Sequence, residues 1–123
     1  MAISLILKEN YMSLNRKQLI QKQSDKLAEN RDKWIKKNSY FYKNDRSYMQ
    51  FLVGDNKRIL ELGCSTGQLL NALNPSYGVG VDLSANMVSI AQKNYSNLEF
   101  IQGDLEDQEL ISSLKGPFDY IIL

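Results

Sequence analysis

The sequence contains no histidine, only two prolines and a single cysteine, Cys64. One thiol excludes an internal disulfide and is typical of a reducing compartment, so we expect a cytoplasmic protein. The opening segment 2–7 is apolar, but it is too short to span a bilayer and lacks a basic leader and a cleavage signature. These features predict no association with a membrane, and we expect no metal site.

Neither sign of charge dominates the sequence, whose formal net charge is +1. The charges are nevertheless unevenly placed: residues 1–57 hold 12 Lys and Arg against 6 Asp and Glu, whereas residues 58–123 hold 3 against 8. The basic residues of the first half are interleaved with acids. This pattern favours a solvated helical surface over a nucleic-acid interface.

The first half of the chain is predicted to be helical and forms an N-terminal segment, residues 1–54. Ile20, Leu27 and Trp34 recur every seven residues, with Ala28 and Ile35 beside them, which predicts one apolar stripe on a helix over about 13–37. A second, shorter helix is predicted over about 45–53. Its apolar residues are expected to be buried; they are Tyr48, Met49, Phe51 and Leu52.

From residue 55 onward the sequence alternates between strand and helix patterns about every 20 residues. The strands are predicted at 58–62, 77–82, 98–102 and 118–123. They are short and apolar, as expected for a parallel sheet that is covered by helices on both faces. The sequence therefore predicts an α/β fold with a Rossmann-like, doubly wound parallel sheet that is truncated after its fourth strand.

The fourth predicted strand, 118–123, is apolar throughout, and the sequence stops within it. Doubly wound sheets normally continue beyond this point, so we expect the chain to be a fragment of a longer protein. In a sheet ordered 3-2-1-4 the fourth strand would leave one edge open. Because an open apolar edge is a template for pairing, a homodimer through 118–123 is a further expectation.

A glycine turn, residues 63–67, joins the first strand to a helical pattern, an arrangement typical of the edge of a nucleotide-type pocket. Asp82 lies where a dinucleotide fold would place its ribose-binding acid, but Ser65 and Gln68 occupy two of the three glycine positions of that motif. The turn also matches the G-x-S-x-G pattern of hydrolases around Ser65. The chain has no histidine to serve as the base of such an enzyme.

Four segments in order resemble the motifs of class I S-adenosylmethionine-dependent methyltransferases. Residues 59–67 resemble the first motif, an acid followed by G-x-G-x-G, with Ser65 in place of the middle glycine. Residues 79–87 and 100–106 are similar to the second and third motifs, and 118–123 to the start of the fourth. The ordered set covers about residues 55–123 and favours this family over the two alternatives.

The resemblance implies S-adenosyl-L-methionine as the cofactor and assigns it a set of residues. Glu61 would orient the ammonium group or brace the turn, Asp82 would accept hydrogen bonds from the ribose, and Asp104 would accept one from the adenine amino group. An aromatic residue before the second helix, Tyr42, would cover the cofactor. The implied set is Tyr42, Glu61, Gly63, Cys64, Gly67, Asp82, Leu83, Met87, Asp104 and Leu105.

The resemblance also implies the reaction, an in-line displacement at a sulfonium methyl group. The leaving group is already good, so the protein mainly positions and desolvates the reactants. No residue stands out as a catalytic base, and the methyl acceptor is not encoded in a recognisable pattern. The alternative is a non-catalytic, methyltransferase-like module that binds the cofactor or a protein partner.

Overall fold

The computed structural model describes residues 15–123, in which helices and strands alternate along the chain. The apolar segment 2–7 and the predicted helix start at residue 13 lie outside the described residues. The elements are α1 (Arg16–Lys37), α2 (Ser39–Val53), β1 (Arg58–Leu62), α3 (Gln68–Ala72), β2 (Tyr77–Asp82), α4 (Ala85–Asn94), β3 (Glu99–Gln102), α5 (Gln108–Ser113) and β4 (Tyr120–Ile122).

The four strands form one parallel sheet in the order β3-β2-β1-β4. This order confirms the predicted α/β fold, a truncated Rossmann-like sheet with N-terminal helices. β1 and β2 have the predicted limits, whereas β3 and β4 are shorter than predicted. Because all strands run in the same direction, the turns that follow β1, β2 and β3 meet at the carboxyl edge of the sheet.

Alternating residues of the central strands face two apolar layers. Ile59 and Phe100 face a cluster that α2, α3 and α4 complete. Leu60, Val79 and Val81 face the opposite side, against residues from α5 and its flanking turns. Both faces of the sheet are therefore covered, which explains why its strands are almost continuously apolar.

Two helix starts are fixed by capping side chains, each a serine or aspartate directly before the helix. Ser84 Oγ accepts a hydrogen bond from the backbone N–H of Met87 at the start of α4. Asp107 accepts from two backbone N–H groups at the start of α5. Each cap satisfies donors that the first helical turn leaves without partners, so α4 and α5 begin where the preceding strands deliver the chain.

The predicted apolar stripe of α1 is buried only in part. Ile20, Leu27 and Trp34 are 45%, 62% and 55% exposed, and the buried residues of the helix are Ala28 and Ile35. The buried face is rotated because α1 packs on α4 and crosses the polar turns at the carboxyl edge. A helix that covers polar turns carries polar residues inward, so its most apolar face is not its buried one.

The second helix also differs from its prediction. It begins at Ser39, so that the aromatic residues around Tyr42 lie within it, and Tyr48, Phe51 and Leu52 are more than half exposed. Only Met49, of the four residues predicted to be buried, packs against the core, together with Val53. The apolar residues of this helix lie on several of its faces, so their pattern does not identify the buried face.

Within residues 15–123 no helix is both long enough and apolar enough to cross a bilayer.

Candidate functional site

The glycine turn between β1 and α3, residues 63–67, is called the glycine loop below. Three of its residues have positive φ: Gly63 at 79°, Ser65 at 54° and Gly67 at 82°. The backbone N–H groups of Gly63 and Cys64 both donate to the carbonyl of Val81, at 2.7 and 3.0 Å. The loop is thus folded tightly against the end of β2, with its backbone close to any ligand at this edge.

Gly67 is the most constrained position of the glycine loop. A Cβ atom at this residue would lie 2.6 and 2.8 Å from two ring atoms of Phe100 and 3.3 Å from the Cβ of Ala91. Gly63 has a similar φ, but a Cβ there would meet nothing within 4 Å. Close packing of the loop against the sheet therefore requires glycine at position 67, while position 63 requires it for backbone conformation alone.

Asp82, at the end of β2, braces the two turns beside it. Its Oδ2 accepts from the backbone N–H of Ser65 at 2.8 Å, and its Oδ1 accepts from the backbone N–H of Ser84 at 2.9 Å. A carboxylate has about four acceptor positions, so each oxygen retains capacity for one further donor. The half-buried side chain is fixed in orientation and still able to accept from a ligand.

Asp104 lies at the end of β3 and is engaged by the N-terminal helix. Its Oδ2 accepts from Nζ of Lys17 at 2.8 Å, and its Oδ1 accepts from the backbone N–H of Glu106 at 2.9 Å. The hydrogen bond from Lys17, followed by that from the Glu106 backbone, holds the pKa of Asp104 below its usual value. Asp104 is therefore an anionic acceptor with a cationic partner already in place.

A cavity of about 170 Å³ lies between the glycine loop and the two N-terminal helices. We call it the loop cavity. It brings together four of the predicted site residues, from α2, the end of β1 and the glycine loop. Its lining is Arg31, Ile35, Tyr42, Asp45, Arg46, Glu61, Gly63, Cys64, Ser65, Thr66, Gln68 and Leu69.

Glu61 is the buried acid of the loop cavity, with 6% of its surface exposed. Burial raises the pKa of its carboxyl group to about 8, because a charged carboxylate is poorly solvated there. Among the described residues, its Oε2 has no hydrogen-bond partner. An unsatisfied buried carboxylate oxygen is costly, and a cationic donor in the cavity would satisfy it.

Two arginines line the same cavity. Arg31 places its guanidinium 5.8 Å from the centre of the Tyr42 ring, and its Nε is buried without a partner among the described residues. Arg46 donates to Oε1 of Gln68 at 3.5 Å. The loop cavity thus combines two acids, Asp45 and the buried Glu61, with two arginines. Such a set matches a ligand carrying both an ammonium and a carboxylate.

A second cavity, of about 460 Å³, lies on the other side of Ser65. Ser65 and Arg31 line both cavities, and Met87 contributes to the second. The hydroxyl of Ser65 donates to Sδ of Met87 at 3.4 Å. The predicted site residue Met87 therefore lies beside the glycine loop, with 6% of its surface exposed.

The remaining predicted residues do not line these two cavities. The carbonyl of Leu83 accepts from Nε2 of Gln102 at 3.3 Å, next to Asp82. Leu105 is 38% exposed and lines a separate shallow cavity with residues of α5. Met87 and Leu105 therefore line different cavities, and the roles of Leu83, Met87 and Leu105 at the cofactor stay predictions.

Cys64 and Ser65 are not placed as nucleophiles. Burial is the main cause that raises the pKa of the Cys64 thiol, and its side chain packs where Gly80 leaves room. The Ser65 hydroxyl has a thioether as its hydrogen-bond acceptor rather than a base. This geometry gives no support to the hydrolase alternative.

The inward face of α1 is polar, which the sequence pattern does not predict. The carboxylate of Asp25 accepts from Ser84 Oγ, and its backbone carbonyl accepts from Nδ2 of Asn86, both at the start of α4. Asp32 contacts the glycine loop. The polar residues recur at intervals of seven, at 17, 24 and 31 and at 25 and 32, but that spacing is also typical of a solvated face. The residues are Lys17, Ser24, Asp25, Arg31 and Asp32.

A model of the family described as "Methyltransferase domain" matches residues 59–123. The matched segment begins in β1 and contains the glycine loop, Asp82 and Asp104. It covers just over half of the chain, and all of the elements that form the sheet.

Related proteins are found among curated sequences and solved structures. An uncharacterised protein of Methanocaldococcus jannaschii is 38% identical over 82 residues, which is 67% of this chain and 31% of that protein. The malonyl-[acyl-carrier protein] O-methyltransferase of Halalkalibacterium halodurans is 42% identical over 73 residues, 54% of this chain and 27% of that protein. The solved DhpI–SAH complex has the same fold, with a TM-score of 0.59, 21% identity and coverage of 69% and 43%. The chain spans about a third of the length of these curated relatives.

Proposed function

The chain belongs to the class I S-adenosylmethionine-dependent methyltransferase family, and on that premise we propose that it carries the cofactor site of an enzyme that transfers a methyl group. The observation that carries the proposal is the loop cavity. A buried Glu61 oxygen, which has no hydrogen-bond partner within residues 15–123, lies in the same cavity as Arg31 and Arg46. The amino-acid end of S-adenosylmethionine has the complementary pair of charges, an ammonium and a carboxylate.

The proposed orientation follows from the position of the glycine loop. The methionyl end enters the loop cavity, beneath Tyr42 and against the backbone of Gly63 and Cys64. The ribose hydroxyls donate to the free acceptor positions of Asp82. The adenine lies beyond it, near Leu83 and Met87, and its amino group takes Asp104 as acceptor, with Leu105 beside the ring.

This orientation requires two local changes on binding. Lys17 must share or release Asp104, since it donates to the oxygen Oδ2 at 2.8 Å. Leu105 must turn from its shallow cavity toward the adenine. Both residues are more than a third exposed, and an exposed ion pair contributes little to stability, so neither change is costly.

The bound cofactor would supply an electrophilic sulfonium methyl group. The residues of this chain bind and orient the cofactor and exclude water from its methionyl end. We define the methyl acceptor only by its chemical role, as a nucleophile presented in line with the methyl group. Any base that this acceptor needs is not assigned to a residue. The single, buried thiol of Cys64 is typical of a reducing compartment, so we expect the protein in the cytoplasm.

Calorimetry with S-adenosylhomocysteine, the product form of the cofactor, tests this assignment through Glu61. The raised pKa means that Glu61 is mostly protonated near pH 7, and the incoming ammonium would favour its ionised form. We expect binding to release close to one proton at about pH 7, where the amino group of the free ligand is mostly protonated already. The count is obtained by repeating the titration in buffers of different ionisation enthalpy.

The matched variant is Glu61→Gln, which keeps the shape of the side chain and cannot titrate. At about pH 7 it should bind without releasing a proton. Its stability should also fall less between about pH 5 and pH 9, because the wild type loses stability as pH rises through the raised pKa of Glu61. Binding with the same proton release in both proteins would remove Glu61 from the ammonium site, and absence of binding to the wild type would contradict the proposed function.

A second prediction concerns the oligomeric state of the 123-residue polypeptide when it is studied by itself, and it follows from the open edge of β4. β4 pairs with β1 along one edge, and no strand among residues 15–123 pairs with the other. Its residues Tyr120 and Ile121 are 40% and 62% exposed. We expect a concentration-dependent homodimer in light scattering, formed by pairing of these edges, and a monomer for Ile121→Lys. A wild-type monomer at every concentration would contradict the prediction.

A further inference from the structure

We propose that Asp32, on α1, is a positioning residue that holds the glycine loop in its ligand-binding shape through Thr66. The inference rests on the proposed function for the identity of the ligand. It concerns a residue of the N-terminal helix that lies outside all four sequence motifs and is not among the residues that line the loop cavity.

One carboxylate connects three separate elements. Oδ1 of Asp32 accepts from Oγ1 of Thr66 at 2.7 Å and from Nε2 of Gln68 at 2.9 Å. Oδ2 accepts from Nδ2 of Asn94, at the end of α4, at 3.3 Å. Charge-assisted bonds of this length are stronger than neutral ones, so Asp32 ties α1 to the glycine loop, to the first turn of α3 and to α4.

The glycine loop needs an external tie because its backbone is strained. Ser65 is a non-glycine residue at a φ of 54°, between two glycines that also have positive φ. Conformations of this kind persist when surrounding contacts determine them. Ser65 is held by Asp82, and Gly67 donates to the carbonyl of Cys64 at 3.0 Å. Thr66, between them, is 1% exposed and has Asp32 as the acceptor of its hydroxyl.

The tie extends to the cavity wall. Thr66 and Gln68 both line the loop cavity, and Oε1 of Gln68 accepts from Arg46. Asp32 therefore fixes the side chain that in turn contacts one of the two guanidinium groups. Loss of Asp32 would loosen the loop and the position of Arg46 together, without removing any group that touches the ligand.

The test is a double-mutant cycle with Asp32→Ala and Thr66→Val, read out by calorimetry with S-adenosylhomocysteine. Thr66→Val should weaken binding about tenfold, and Asp32→Ala at least as much, because it also removes the bonds to Gln68 and Asn94. The double variant should be no weaker than Asp32→Ala, since the bond to Thr66 is already lost in that variant. Asp32→Asn keeps an oxygen that can accept from Thr66 and should stay within about threefold of wild type. Glu29→Ala, an exposed acid on the outer side of α1, is the matched control and should bind as wild type does.

Amide hydrogen exchange gives a readout that does not depend on the ligand. In Asp32→Ala the amides of Ser65 and Gly67 should exchange at least about tenfold faster, while those of Val79 and Val81 in β2 keep their wild-type rates. Equal acceleration in β2 would show a general structural role and overturn the proposal. Unchanged loop exchange, or losses of affinity that add in the double variant, would overturn it as well. A wild type that does not bind the ligand would contradict the proposed function, and the exchange rates would still decide the role of Asp32.

Discussion

Asp82→Ala is expected to weaken the binding of S-adenosylhomocysteine by at least about 2 kcal/mol, or roughly thirtyfold, because the ribose loses two charge-assisted hydrogen bonds. The structure adds a second reason. The same carboxylate accepts from the backbone N–H groups of Ser65 and Ser84, so its removal also leaves two donors beside the ligand without acceptors. Calorimetry on the wild type and the variant measures the loss directly.

Asp119→Ala supplies the matched control for this prediction. Oδ2 of Asp119 accepts from the backbone N–H of Arg58 at 2.8 Å, the same kind of carboxylate-to-backbone bond, at the opposite edge of the sheet. It should lower the melting temperature while leaving affinity unchanged. Asp82→Asn should fall between wild type and alanine, since the amide keeps one acceptor oxygen. If Asp82→Ala and Asp119→Ala bind equally well, Asp82 is not the ribose acceptor.

The elements that form the sheet were predictable because their signals are local. β1 is a short apolar run with Glu61 next to its end, β2 is one that ends at Asp82, and both strands have the predicted limits. The cap at Ser84 likewise depends on residues within one helical turn. The strand order follows from the alternation of strands and helices, since right-handed crossovers leave few arrangements of a parallel sheet.

The N-terminal helices were predictable as helices but not in their orientation. Sequence periodicity assumes that the most apolar face is buried, and Trp34 and Leu27 lie on that face of α1. The helix instead crosses the ends of the strands, where the partners are hydroxyls and backbone N–H groups. Asp25 and Asp32 can be partly buried there because their carboxylates are hydrogen-bonded. The need for polar residues on the buried face of α1 becomes visible only from the three-dimensional position of the glycine loop.

The residues of the candidate site likewise fall into those that the sequence predicts and those that it does not. Glu61, Gly63 and Cys64 were expected at one place because they adjoin the loop in sequence, and they line the loop cavity with Tyr42. Arg31 was missed, since a basic residue on a helix is usually solvated. The ion pair between Lys17 and Asp104 was missed because it joins residues 87 positions apart. The binding roles of these residues remain predictions that the variants above address.

The largest effect on stability is expected for Gly67→Ala. A positive φ costs a residue with a Cβ roughly 1–2 kcal/mol, and overpacking in a core adds about 1–3 kcal/mol. Both apply here, since φ is 82° and the new Cβ would lie 2.6 Å from the ring of Phe100. We expect a loss of about 3 kcal/mol in the free energy of unfolding, and a melting temperature lower by roughly 10–15 °C in calorimetry.

Gly63→Ala separates the two causes of that loss. Its φ is 79°, close to that of Gly67, but a Cβ there meets nothing within 4 Å, so only the conformational penalty of about 1–2 kcal/mol applies. Phe100→Leu combined with Gly67→Ala should be more stable than the sum of the single losses predicts, because the smaller side chain removes the overlap. Equal losses at Gly63 and Gly67, or strict additivity with Phe100→Leu, would show that Phe100 does not set the requirement. In that case the glycine loop would be shaped by its backbone alone, and its packing on β3 would not fix the distance between the loop and the sheet.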